Sequence, residues 1–119
     1  DYKKNKFDFV KLNEIDIKWS NEKSLCVVLC SKGYPDQYQK NIEIKNINKI
    51  DKNNSELLFH AGTVKKNEKV FAIGGRVLNF VVLSESFSKA KQKINKHISD
   101  LDWPGGFYRK DIGYKVMEE

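Results

Sequence analysis

The sequence predicts an α+β domain: a small, mainly antiparallel β-sheet packed with one long amphipathic helix. Two observations carry that expectation. Short apolar runs of strand length, broken by glycines and polar connections, fill residues 24–85. After Ser86 the period changes: Phe87, Ala90, Ile94, Ile98 and Leu101 recur at intervals of 3, 4, 4 and 3, which stacks them on one helical face. Several strands followed by one such helix is an α+β pattern.

Along the chain, residues 1–20 set charges among Phe7, Phe9, Val10, Leu12, Ile15, Ile17 and Trp19 with no clean period. A short helical turn and an irregular lead-in are expected there. SLCVVLC (24–30) is a continuous apolar run, which reads as a central strand buried on both faces. It stops at SKGYPDQY (31–38), where Gly33 and Pro35 make a turn or longer loop. IEI (42–44) is a short strand and INKIDKNNSE (47–56) a polar connection. LLFHAGTV (57–64) is a strand broken at Ala61 and Gly62, while KVFAIGG (69–75) and RVLNFVVLSE (76–85) are strands meeting at a double glycine. Ser84 or Ser86 caps the helix by accepting an orphan backbone N–H. Pro104, Gly105 and Gly106 end it, and residues 107–117 close as a loop and a short extended tail.

The totals bound the function. A chain of 119 residues with 39% hydrophobic and 32% charged content has enough material for one core. No apolar run approaches the roughly 20 residues that cross a bilayer, so no membrane partner is expected. DYKKNKFDF lacks the apolar centre of a signal peptide. The sole methionine is Met117, so the expectation is a fragment or a processed product. A net charge of +6 invites a nucleic-acid reading. Twenty of the 22 basic residues are scattered lysines, however, the exceptions being Arg76 and Arg109, and a generic basic surface without a nucleic-acid partner is expected.

Cys26 and Cys30, four residues apart on a strand, share a face about 13 Å apart, beyond the roughly 7 Å reach of a disulfide. His60 and His97 show no zinc-ligand spacing. Both cysteines therefore read as reduced core residues of a cytoplasmic protein.

No catalytic constellation is present. His60 has no nucleophile at a recognisable spacing, and SDLD (99–102) reads as solvated surface at a helix end. GGR (74–76) is followed by a strand and lacks a third glycine, so it is not a dinucleotide fingerprint. Two readings of it stay open. It is a corner needing positive φ, or Gly74 and Gly75 admit a ligand while Arg76 offers a bidentate fork to phosphate or carboxylate. FHAGT (59–63) poses the same choice for His60, Gly62 and Thr63. Arg109 and Asp111 read as a structural clamp.

Taken in order, CVVLCSKGYP (26–35), FHAGT (59–63), GGRVL (74–78) and YRKDIG (108–113) resemble the C-terminal domain of the phosphoribosylamine–glycine ligase family, also called glycinamide ribonucleotide synthetases. The resemblance spans residues 26–113. It implies that residues 1–20 are a lead-in from a preceding ATP-grasp domain and 21–119 the C-terminal domain. It implies the fold seen at the end of purine ATP-grasp enzymes, and an activity that joins glycine to 5-phosphoribosylamine through an acyl phosphate. ATP and Mg²⁺ would be held by the full-length enzyme and not by this piece, which alone would be inactive.

The implied partners are the enzyme's own N-terminal and ATP-grasp domains, with phosphoribosylamine and glycine as substrates. Arg76 would clamp the ribonucleotide phosphate, with Gly74 and Gly75 against the substrate and His60, Gly62 and Thr63 along the same wall. The sequence departs from the family at Asp36 (usually glycine), at Asn79 (usually small) and at the bulkier WPGG (103–106). The competing readings are a small basic module for nucleic acid or another polyanion, and a purely structural domain whose motifs are turns.

Overall fold

In the computed structural model, which describes residues 11–117, two small antiparallel sheets share one helix. Strands β1 (Lys23–Ser31), β2 (Ile42–Ile44), β3 (Glu56–His60), β4 (Thr63–Lys66), β5 (Lys69–Ala72), β6 (Arg76–Ser84) and β7 (Gly106–Phe107) divide between them. The larger sheet has the order β3-β6-β1-β7 and the smaller one β2-β5-β4. Helix α1 (Phe87–Asp100) packs on one face of the larger sheet through Ala90 and Ile94. Opposite them stand Leu25, Val27 and Leu29 of β1 and Leu78, Phe80 and Val82 of β6, paired across the ladder. The α+β expectation holds, with the strands split between two sheets.

Two of the places where the chain changes sheet are glycine breaks. β3 belongs to the larger sheet and β4 to the smaller, with Ala61 and Gly62 between them. β5 and β6 make the reverse crossing through Ile73, Gly74 and Gly75. The two crossings lie against each other. Ile73 and Gly74 N–H donate to the Gly62 carbonyl at 2.8 and 3.2 Å, and Ala61 and Gly62 N–H donate to the Val77 carbonyl at 2.9 and 3.1 Å. A Cβ on Gly62 would stand 2.5 Å from the Arg76 carbonyl oxygen and 3.1 Å from Gly74 Cα. The requirement for glycine is therefore close backbone approach, not the positive φ that a corner suggests; positive-φ glycines are Gly33 and Gly113.

Three local expectations change. β1 is central, yet its burial alternates, because only the face toward α1 is covered. Leu25, Val27, Leu29 and Ser31 point inward, while Cys26 is exposed and Cys30 half-buried on the other face. The cysteines are thus not core residues. The helix stops at Asp100, before Pro104, because Asp102 pairs with Lys45 through backbone bonds of 2.9 and 3.1 Å. The tail is not extended. Lys91 Nζ donates to the carbonyls of Lys110 and, at 3.1 Å, of Ile112, and a 3₁₀ turn follows at Tyr114–Val116.

Other readings hold. Arg109 clamps Asp111 through two bonds of 3.1 and 2.6 Å. A 3₁₀ turn at Leu12–Glu14 opens an irregular lead-in whose Leu12, Ile15, Ile17 and Trp19 are exposed; Phe7, Phe9 and Val10 lie outside the described residues. Of the two candidate caps it is Ser86 that acts, its Oγ accepting from Lys89 N–H at 3.1 Å. Replacing Ser86 by alanine is expected to cost about 1 kcal/mol, read as a lower urea midpoint. An unchanged midpoint would show that the cap is dispensable.

Candidate functional site

A one-residue irregularity in β6 sets the direction of Arg76. Ser84, Val82, Phe80 and Leu78 are buried on the α1 side, so counting back by two would place Arg76 inside as well. An unpaired guanidinium there would carry a heavy desolvation cost. Instead the register runs Val28 to Asn79, Leu29 to Leu78, and then Cys30 to Arg76, leaving Val77 as the extra residue. Val77 and Leu78 are both buried, and Arg76 emerges on the outward face beside Cys30. Burial pushes the Cys30 thiol above its ordinary range, and the Arg76 charge pulls it back toward thiolate.

On this face Arg76, Gly75, Tyr34, Ala61, Val28 and Asn79 line a shallow recess of about 430 Å³. The backbone leading into Arg76 is fixed from β1: Ser31 N–H donates to the Gly75 carbonyl and Ser31 Oγ to the Gly74 carbonyl, both at 2.8 Å. Among the described residues Arg76 forms no ion pair, whereas Arg109 is taken by Asp111. An unpaired guanidinium carried on a tied backbone suits a phosphate or carboxylate. Arg76 and Asn79 bring hydrogen-bond donors to the recess.

The remaining motif residues lie elsewhere. His60 is in register with Leu78, on the opposite face of the sheet from Arg76. Its Nδ1 lies 2.8 Å from Thr63 Oγ1, a bond that spans the Ala61–Gly62 crossing. Both side chains border a second cleft of about 440 Å³ between the sheets, floored by Ile50, Leu58 and Val70 and edged by Lys52 and Lys65. Gly62 and Gly74 are spent on the crossing itself. The structure thus brings Arg76 and Gly75 together and sets His60 and Thr63 apart from them.

Reading the sequence alone missed Tyr34, Ala61, Val28 and Asn79 as recess residues. Tyr34 had one signal, its place between Gly33 and Pro35 in a stretch already marked as a loop. Val28 and Asn79 sit on strands whose outward face became legible only with the register, and Ala61 lies in the crossing between β3 and β4.

A family profile described as "Phosphoribosylglycinamide synthetase, C domain" matches residues 24–115. The chain belongs to this family. The chain is 41% identical over 108 residues to phosphoribosylamine–glycine ligase of Haemophilus influenzae, covering 91% of this chain and 25% of that protein. It is 36% identical over 108 residues to the Brucella melitensis ligase, with the same coverage. The crystal structure of phosphoribosylamine–glycine ligase from Thermotoga maritima matches with a TM-score of 0.63 at 32% identity, over 76% of this chain and 22% of that one. The chain spans about a quarter of the length of the curated relatives it matches.

Proposed function

We propose that this domain forms the substrate-side wall of an ATP-dependent phosphoribosylamine–glycine ligase, with Arg76 gripping the phosphate of phosphoribosylamine. The observation that carries the reading is the turning-out of Arg76 by the Val77 irregularity into a recess where, among the described residues, no carboxylate pairs with it. Gly75 shares the recess, and Gly62 and Gly74 hold its backbone by close approach. A domain in which Arg76 served only packing would have it buried in an internal pair.

The ATP and Mg²⁺ of the reaction are assigned to other parts of the ligase. Magnesium needs several oxygen ligands in near-octahedral array. Among the described residues no three Asp, Glu, His or Cys side chains cluster closely enough to hold an ion. Glycine activation is likewise assigned elsewhere, and the piece by itself is expected to be inactive. Phosphoribosylamine and glycine are the proposed substrates.

The partners are the ligase's own N-terminal and ATP-grasp domains. Phe59 and Leu57, on the outward face of β3, are 52% and 40% exposed, and Trp19 in the lead-in is 86% exposed. Apolar surface of this extent suits burial against further chain. Among the described residues no helix is long and apolar enough to cross a membrane. The two free cysteines suit a reducing compartment, and we assign the cytosol.

The test is Arg76→Ala in the full-length ligase carrying this domain. Loss of a charge-assisted phosphate contact costs about 1.5–3 kcal/mol, so kcat/KM for phosphoribosylamine is expected to fall roughly 10- to 100-fold. Unchanged kinetics would remove Arg76 from the site.

A further inference from the structure

We propose that Tyr34 is the positioning residue of the Arg76 recess, and that its ring also forms the wall that selects the ribosyl end of the substrate. The inference rests on the reading that Arg76 holds the substrate's phosphate.

The geometry begins at Gly75. A Cβ there would fall 2.2 Å from Cδ2 and 2.7 Å from Cε2 of Tyr34. The ring therefore lies directly on the Gly75 main chain, one residue before the guanidinium, and no larger residue fits beneath it. The ring is itself held. Tyr34 N–H donates to the Ser31 carbonyl at 3.1 Å, and the Tyr38 ring meets it at 6.4 Å between centroids and 58° between planes. Ser31 is the residue whose N–H and Oγ bind the Gly75 and Gly74 carbonyls. Loop 31–38 and the segment 74–76 are thus one clamped unit, with Arg76 emerging from its edge.

What the ring leaves uncovered faces the recess, where Val28 and Ala61 add apolar surface. An aromatic wall beside a guanidinium suits a phosphate ester whose sugar ring lies against the aromatic face. Glycine, with no ring, gains nothing from such a wall. ATP, which does carry a sugar ring, is assigned to other parts of the ligase, so Tyr34 is expected to act on phosphoribosylamine.

The experiment measures KM for each substrate in the full-length ligase carrying this domain. Tyr34→Ala is expected to raise KM for phosphoribosylamine on the order of 10-fold or more, leaving kcat and the KM values for glycine and ATP near their starting values. Tyr34→Phe restores the parent value, because the ring and not the hydroxyl does the positioning. Gly75→Ala expels the ring and reproduces the shift, and adding it to Tyr34→Ala brings little further loss, the non-additivity of two residues acting as one.

Thermal melts check that each variant folds, and Tyr34→Leu, which keeps apolar bulk without a planar face, replaces Tyr34→Ala if that variant does not. If Arg76→Ala weakens phosphoribosylamine binding while Tyr34→Ala and Tyr34→Leu do not, the role of Tyr34 is overturned and the site stands. If Arg76→Ala itself changes nothing, the site fails and the inference with it. Equal KM shifts for all substrates, or additive losses in the double variant, also overturn the inference.

Discussion

Replacing Glu56 by alanine is expected to remove about 3–5 kcal/mol of stability, a large share of the 5–15 kcal/mol that an ordinary domain holds. Glu56 stands on β3 with its side chain under α1, and its Oε1 lies 2.9 Å from His97 Nε2, both residues buried. The His97 ring stacks on Phe80 at 5.5 Å between centroids and 18° between planes. Its Nδ1 is buried without a partner. The second Glu56 oxygen accepts the Asn53 N–H at 3.1 Å, which ties the loop before β3 to the same carboxylate. Removing Glu56 strands the imidazole N–H and frees that loop together. Glu56→Gln keeps acceptors and is expected to cost less.

The same pair sets an acid dependence. Burial pushes the Glu56 carboxyl up, but the Asn53 N–H and His97 outweigh it and hold the group below its ordinary 4.5. A carboxylate whose pKa is lower folded than unfolded contributes stability that is complete above the unfolded value. That contribution is lost as pH falls through the folded one. Stability should therefore decline as the solution is acidified below about 4.5. Glu85 and Asp111, lowered by Lys89 and Arg109, act in the same direction from exposed positions where salt screens them. Urea midpoints between neutral pH and pH 3 at moderate salt read the effect. An acid slope in Glu56→Gln as steep as in the parent would show that another group governs it.

How much of this could be read without coordinates depends on the kind of signal. The helix was legible because a single stripe, Phe87, Ala90, Ile94 and Ile98, packs on a single surface, and periodicity records that relation directly. The breaks at Ala61–Gly62 and Gly74–Gly75 were legible as breaks. Their cause was not, because the close approach of Gly62 to Gly74 joins residues 12 apart in sequence and each glycine alone looks like a turn. SLCVVLC misled because valine, leucine and cysteine are tolerated on a half-covered face. The outward cysteines are no more polar than the inward leucines.

Arg76 stood out as one of two arginines, and its direction was set by an insertion that no pattern of period two contains. His97 drew no role from the sequence beyond its lack of zinc-ligand spacing, yet it is buried on the same helix face as Ala90 and Ile94. Only Glu56, 41 residues away, makes its burial affordable.

Trp103→Ala is expected to destabilise the chain by about 3–5 kcal/mol, comparable to breaking the Glu56–His97 pair. Trp103 opens the WPGG stretch (103–106), and the structure puts its bulk to use. Its indole is buried and lies on the next turn of its own loop. A Cβ on Gly106 would be 2.4 Å from Cε3, and one on Gly105 would be 3.3 Å from Nε1 and 3.2 Å from the Ile42 side chain. Ile98 and Leu101 at the end of α1, with Leu29 of β1, border the same hollow. The ring therefore stands where the helix end, the larger sheet and β2 of the smaller sheet converge, next to the Lys45–Asp102 bridge. Truncation leaves a void there that backbone tied on three sides cannot close.

A second variant separates volume from polarity. Trp103 Nε1 is buried with no acceptor, a desolvation cost of about 1–3 kcal/mol that the native chain carries. Trp103→Phe gives up some contact area but removes that donor, and the two changes offset. Its stability should lie much nearer the parent than that of Trp103→Ala. Urea unfolding followed by far-UV circular dichroism measures both without relying on the fluorophore being replaced. If phenylalanine proved as damaging as alanine, the indole N–H would have to be making a bond that holds the junction together, and volume would not be what Trp103 supplies.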